Sequence, residues 1–66
     1  MNKAVYRLKK LIHYSELADL LDISESYTRC LLNGHQKFSP RLVIKVVKFF
    51  PEEFKEHDFR PDIFPK

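Results

Sequence analysis

Residues 14–34 read Tyr14-Ser15-Glu16-Leu17-Ala18-Asp19-Leu20-Leu21-Asp22-Ile23-Ser24-Glu25-Ser26-Tyr27-Thr28-Arg29-Cys30-Leu31-Leu32-Asn33-Gly34, and the fold turns on how this run divides. Leu17, Ala18, Leu20 and Leu21 recur at helical spacing. Ser15 is placed to cap a helix start, its hydroxyl accepting a free first-turn amide. Glu16 and Asp19 fall where the helix dipole favours negative charge. The pattern breaks near Asp22 and restarts: Ser24 as a second cap, Glu25 in the first turn, and Thr28, Leu31 and Leu32 facing inward. Asn33-Gly34 closes this helix, because glycine just past a helix end takes the left-handed conformation without a Cβ clash. Two short helices joined only by residues 22–24 meet at a sharp angle, so the second stands outward on the first.

Working outward, residues 3–12 place Val5, Leu8, Leu11 and Ile12 on one helical stripe, with Arg7, Lys9 and Lys10 largely off it. Ser39-Pro40 announces a further helix: a serine cap, then proline where no amide hydrogen is needed. Residues 41–50 are apolar on more than one face, and Pro51 stops or bends them. Residues 51–57 have room for one further turn, and residues 58–66, with two prolines, read as an extended, packed tail. The expected fold is all-α, four to five helices in a single domain spanning residues 1–66, with the tail at its end.

The chain's 66 residues allow one small core, worth about 3–5 kcal/mol without a disulfide, a metal or a partner chain. Cys30 is the sole cysteine, so no internal disulfide forms. Association of two chains is the simplest source of extra stability. An unpaired thiol and the absence of a leader or a membrane-spanning run lead us to expect a cytoplasmic protein. Charge is uneven. Residues 1–50 carry nine basic and four acidic groups, residues 51–66 three basic and five acidic. A basic body with an acidic tail points to a polyanionic partner.

The run at 14–34 resembles the helix-turn-helix of phage Cro-type and related repressors. Ala18 falls where the family has a small residue between the helices, and Leu21, Ile23 and Leu31 fall on its apolar positions. The ending Asp58-Phe59-Arg60-Pro61-Asp62-Ile63-Phe64-Pro65 is similar to that of small Cro-like and YdaS-like phage and prophage proteins. The resemblance implies a lambda-repressor-like domain with its helix-turn-helix at residues 15–33. The chain departs from the family at two positions. Asp22 stands at the turn glycine, and aspartate enters the left-handed region more readily than most residues. Thr28 replaces a central valine or isoleucine; its methyl can pack while its hydroxyl bonds back to the helix.

Used as in the family, the second helix enters the major groove of double-stranded DNA, about 12 Å wide. Glu25, Ser26, Arg29, Cys30 and Asn33 are then the candidate base contacts. Arg29 leads, because its fork matches guanine O6 and N7. Glu25 either accepts from cytosine, orients Arg29 one turn away, or only complements the helix dipole. Candidate phosphate contacts are Ser15, at a helix start, Ser24, Tyr27, the following loop His35, Gln36 and Lys37, and Arg41. Ile44, Val47, Phe50 and Phe54 form an apolar remainder on the fourth helix and beyond it. Either the tail aromatics Phe59 and Phe64 cover it or it forms a two-fold dimer interface. A homodimer would set two recognition helices about 34–36 Å apart on a palindromic operator.

Catalysis is not expected. Cys30 has no Cys-His pattern with an orienting third group. Paired carboxylates occur only in the tail, at Glu52, Glu53 and Glu56. His13, His35 and His57 lack zinc-ligand spacing. We therefore expect no metal, no cofactor and no small-molecule substrate. Two alternatives to a repressor stand beside it. One is an antitoxin-like regulator binding a toxin or other protein as well as DNA. The other is a protein-interaction module that keeps the shape without binding DNA, favoured by Asp22 and Glu25 near the outward helix.

Overall fold

Side-chain caps decide where each helix begins. The computed structural model, which describes residues 2–65, contains α1 (Lys3–Leu11), α2 (Tyr14–Leu21), α3 (Glu25–Leu32), α4 (Pro40–Phe49) and α5 (Glu56–Phe59), with no strand among the described residues. Asn2 Oδ1 accepts from the amide of Ala4 at 2.7 Å, and its Nδ2 donates to the Asp58 carbonyl at 3.0 Å, so one residue caps α1 and ties it to α5. Ser24 Oγ accepts from the Tyr27 amide at 3.1 Å and Ser39 Oγ from the Leu42 amide at 3.3 Å, both as expected. Pro40 occupies the first turn of α4, where a missing N–H costs nothing.

The cap of α2 differs from expectation. His13, not Ser15, holds that position: its Nδ1 accepts the Ser15 amide at 3.2 Å and lies 2.8 Å from Ser15 Oγ. The imidazole supplies the acceptor two residues earlier, so the helix starts at Tyr14. At its other end Asp22 takes the left-handed conformation, at φ 58°. The Leu21 carbonyl left over there accepts from Lys45 Nζ at 3.2 Å, fastening α4 to the end of α2. Gly34, at φ 81°, ends α3 as read from the sequence.

The core gathers Leu8 from α1, Leu17 and Leu21 from α2, Leu31 from α3, and Val43 and Val46 from α4, all fully buried. Thr28 is buried with them, and its hydroxyl donates to the Ser24 carbonyl at 2.8 Å. That bond satisfies the one buried polar side chain among the described residues. Leu11, expected on the inward stripe, is 49% exposed. α1 ends there, and the extended backbone of Ile12 turns that side chain to the core instead.

Phe54 corrects the dimer-face expectation. Pro51 ends α4, and residues 51–53 turn back, with the Phe54 amide donating to the Phe50 carbonyl at 3.1 Å. Phe54 is thereby carried inside, only 1% exposed, with its ring edge-on to Phe50 at 6.3 Å and tilted against Phe59 at 5.1 Å. Val47 and Phe50 are half-buried against the core, and of the four residues assigned to the interface only Ile44 is exposed, at 54%.

The tail is not extended. Residues 56–59 form α5, which packs on α1 and α4, and residues 61–63 turn beyond it. Lys66, its last residue, and Met1 lie outside the described residues. Phe59 packs against Phe38 at 5.1 Å with the rings tilted by 44°, closing the core from this side. Arg60 donates to the Phe38 carbonyl at 2.8 Å and grips Asp62 with two bonds of 3.0 and 2.9 Å. These bonds hold the Asp62 carboxyl down from 3.8 to about 2. A carboxylate depressed on folding contributes stability above its unfolded pKa and loses it as pH falls through the folded one. Urea midpoints should therefore fall between pH 3.8 and about 2, and Asp62→Asn should flatten that part of the pH profile. No helix of the described residues is long and apolar enough to cross a membrane.

Candidate nucleic-acid interface

α3 packs on α2 and α1 through Thr28, Leu31 and Leu32, which leaves its opposite face to solvent. Glu25, Ser26, Arg29 and Asn33 are exposed on it, and Cys30 is half-buried at its margin. The five candidate base contacts thus lie on α3 and its C-cap, and the tail does not pack over them, since α5 rests on α1 and α4. Ser24 and Tyr27 are exposed at the helix start, and Ser24 Oγ already serves as the cap. Ser15 does not offer its amide to a phosphate, because that amide donates to His13, the cap of α2.

Arg29 is held by an aromatic ring rather than by a carboxylate. Its guanidinium lies over Tyr14 at 5.4 Å from the ring centroid. A stacked guanidinium keeps its in-plane N–H donors available. Of the three alternatives for Glu25, orienting Arg29 falls away: among the described residues the ion pairs are Arg7–Glu53, His57–Asp58 and Arg60–Asp62. The ring of Tyr14, projecting from the first turn of α2, takes that role.

Two residues of this face were not read from the sequence as part of it. Lys9, near the end of α1, reaches Asn33 across 24 positions of chain, its Nζ donating to Oδ1 at 2.9 Å. Tyr14 carries Arg29. Lys9, His13, Tyr14, Arg29 and Asn33 line a half-open hollow of about 240 Å³ between α1, α2 and the end of α3. The basic face of α1 is legible in the sequence, but no local spacing reports which turn of it meets α3.

His35, Gln36 and Lys37 follow α3 in an exposed loop, and Arg41 is exposed on the first turn of α4. The His35 amide donates to the Cys30 carbonyl at 2.9 Å, which holds the loop against the helix end. The ion pairs of the described residues use none of Lys9, Arg29, Lys37 or Arg41. The acids of residues 51–62 are in part engaged elsewhere, with Arg7 on α1 and within the tail itself. Among the described residues no group of His, Cys, Asp or Glu side chains converges as a metal site would require. No protein-family model, no curated protein and no solved structure matches this chain.

Proposed function

We propose that the protein is a sequence-specific DNA-binding repressor of Cro-like type, in which α2 and α3 act as a helix-turn-helix and α3 reads the major groove. The observation that carries the reading is the outer face of α3: exposed from Glu25 to Asn33, uncovered by the tail, with Arg29 stacked on Tyr14. Around it Lys9, Lys37 and Arg41 enter no ion pair of the described residues. A protruding helix edged with cations is the geometry that a groove lined by phosphates accepts.

In this reading Arg29 bonds guanine O6 and N7, with Ser26 and Asn33 beside it on the base edges. Lys9, His35, Gln36, Lys37 and Arg41 hold the sugar-phosphate strands and fix register. Repression follows from occupying a promoter. Two chains bind one palindromic site. Ile44 stands at the centre of their contact, with the exposed margins of Val47 and Phe50 around it.

Selection from a pool of random duplexes tests this directly. The expected result is an inverted repeat with half-sites about one helical turn apart. Its affinity should fall steeply with added salt as released counterions are penalised. A pool that stays random after selection overturns the reading, and a single unrepeated half-site overturns the dimer.

A further inference from the structure

We infer that Asn33 is a self-deamidation site, activated by Lys9, that converts the end of α3 from an amide to an acid. Asn33 and Gly34 are both exposed, and open space surrounds the glycine. A glycine on the C-terminal side imposes the least steric hindrance on ring closure at an asparagine side chain. The Gly34 amide is the attacking atom, and its own bond to the Leu31 carbonyl is long, at 3.3 Å. Helix ends fray at little cost, and fraying here frees that amide and lets the peptide plane swing from its present ψ of 1°.

The distinguishing feature is Lys9. Its ammonium donates to Asn33 Oδ1 at 2.9 Å. This is the oxygen on which negative charge builds when the Gly34 nitrogen adds to Cγ, so the contact acts as a one-donor oxyanion site. The step balances with water alone. The Gly34 nitrogen gives its proton to hydroxide and bonds to Cγ. The side-chain nitrogen takes up one proton from water, which regenerates the hydroxide, and leaves as ammonia. Water then opens the cyclic imide at either carbonyl, giving aspartate or isoaspartate at position 33. Asn2 has the opposite surroundings: Oδ1 accepts from the Ala4 and Val5 amides and Nδ2 donates to Asp58, which holds the side chain away from its own backbone.

The consequence for DNA rests on the proposed function, whereas the modification itself does not. A carboxylate at position 33 pairs with Lys9 and withdraws that cation from the phosphates, and it also sets a negative charge on the groove-facing helix.

The test ages the full chain at mildly alkaline pH and follows intact mass and peptide maps, with enzymatic methylation marking isoaspartate. Conversion should appear at Asn33 and not at Asn2. Lys9→Met, checked by far-UV circular dichroism for an unchanged fold, should slow it about tenfold, less than a donor is worth in a water-excluded site. An unchanged or faster rate in that variant overturns the inference, as does an Asn33 that outlasts Asn2. Asn33→Asp should weaken duplex binding about tenfold, the size of one lost contact. Should the unaged chain bind no duplex, the DNA reading falls while the mass result still decides the chemistry.

Discussion

Phe54→Ala leaves the chain largely unfolded at 25 °C. The ring sits at the junction of three supports: Phe50 at 6.3 Å, Phe59 at 5.1 Å and the Arg7 guanidinium 5.0 Å above it. Its removal deletes a buried aromatic and leaves a cavity, a change that costs about 3–5 kcal/mol. A core of this size supplies about the same amount in total. Arg7 then loses its ring and keeps only the exposed pair with Glu53, which is worth little by itself. Far-UV circular dichroism against urea checks the result. The dimer-face assignment of this residue makes the contrary forecast: a folded variant, monomeric, with its helical signal intact. Phe54→Leu keeps most of the volume and should stay folded with a lowered midpoint.

The same residue shows where a sequence reading of this chain stops. Helix starts at Ser24 and Ser39-Pro40 are local events, set by a side chain reaching a backbone amide three residues on, and each is legible. So was the left-handed Asp22, because the resemblance demanded a turn at that point and aspartate tolerates it. His13 was missed as the cap of α2, since imidazole is not among the favoured cap residues and Ser15, two positions on, is. Phe54 reads as outward in the sequence because Phe59 and Arg7, two of its partners, lie on α5 and α1 and no period in residues 51–57 reports them. The prolines of the tail, taken from the sequence, point to extended backbone. In fact Pro61 opens a turn that Arg60 pins through Phe38 and Asp62.

For the interface the division is similar. The exposed side of α3 follows from burying Thr28, Leu31 and Leu32, so its outward set was fixed once that stripe was known. What holds Arg29 was not, because Tyr14 and Arg29 meet only after α2 and α3 fold back on each other through residues 22–24. Lys9 is the plainest case. In the sequence it is one of several lysines on a polar face, and the packing of α1 against α3 makes it the partner of Asn33.

Arg29→Glu abolishes binding to the selected duplex while the helical signal and urea midpoint stay near those of the parent. The side chain is exposed and contributes to the fold only by lying over Tyr14, a contact worth about 0.5–1 kcal/mol at an exposed site. Its value on DNA is larger. A bidentate arginine on guanine discriminates by about 1–3 kcal/mol, and the substituted carboxylate adds repulsion from the phosphates on both sides of the groove. Fluorescence anisotropy with the selected site should show a loss of a hundredfold or more, about 3 kcal/mol. Arg29→Lys separates reading from attraction. It keeps the charge but lacks the planar fork, so it should retain salt-dependent, non-specific binding and lose preference for the selected base. Lys37→Ala gives the opposite pattern, a uniform weakening across sequences with a shallower salt slope and unaltered specificity. If Arg29→Glu binds the selected duplex as the parent does, α3 does not enter the groove and the proposed function is wrong.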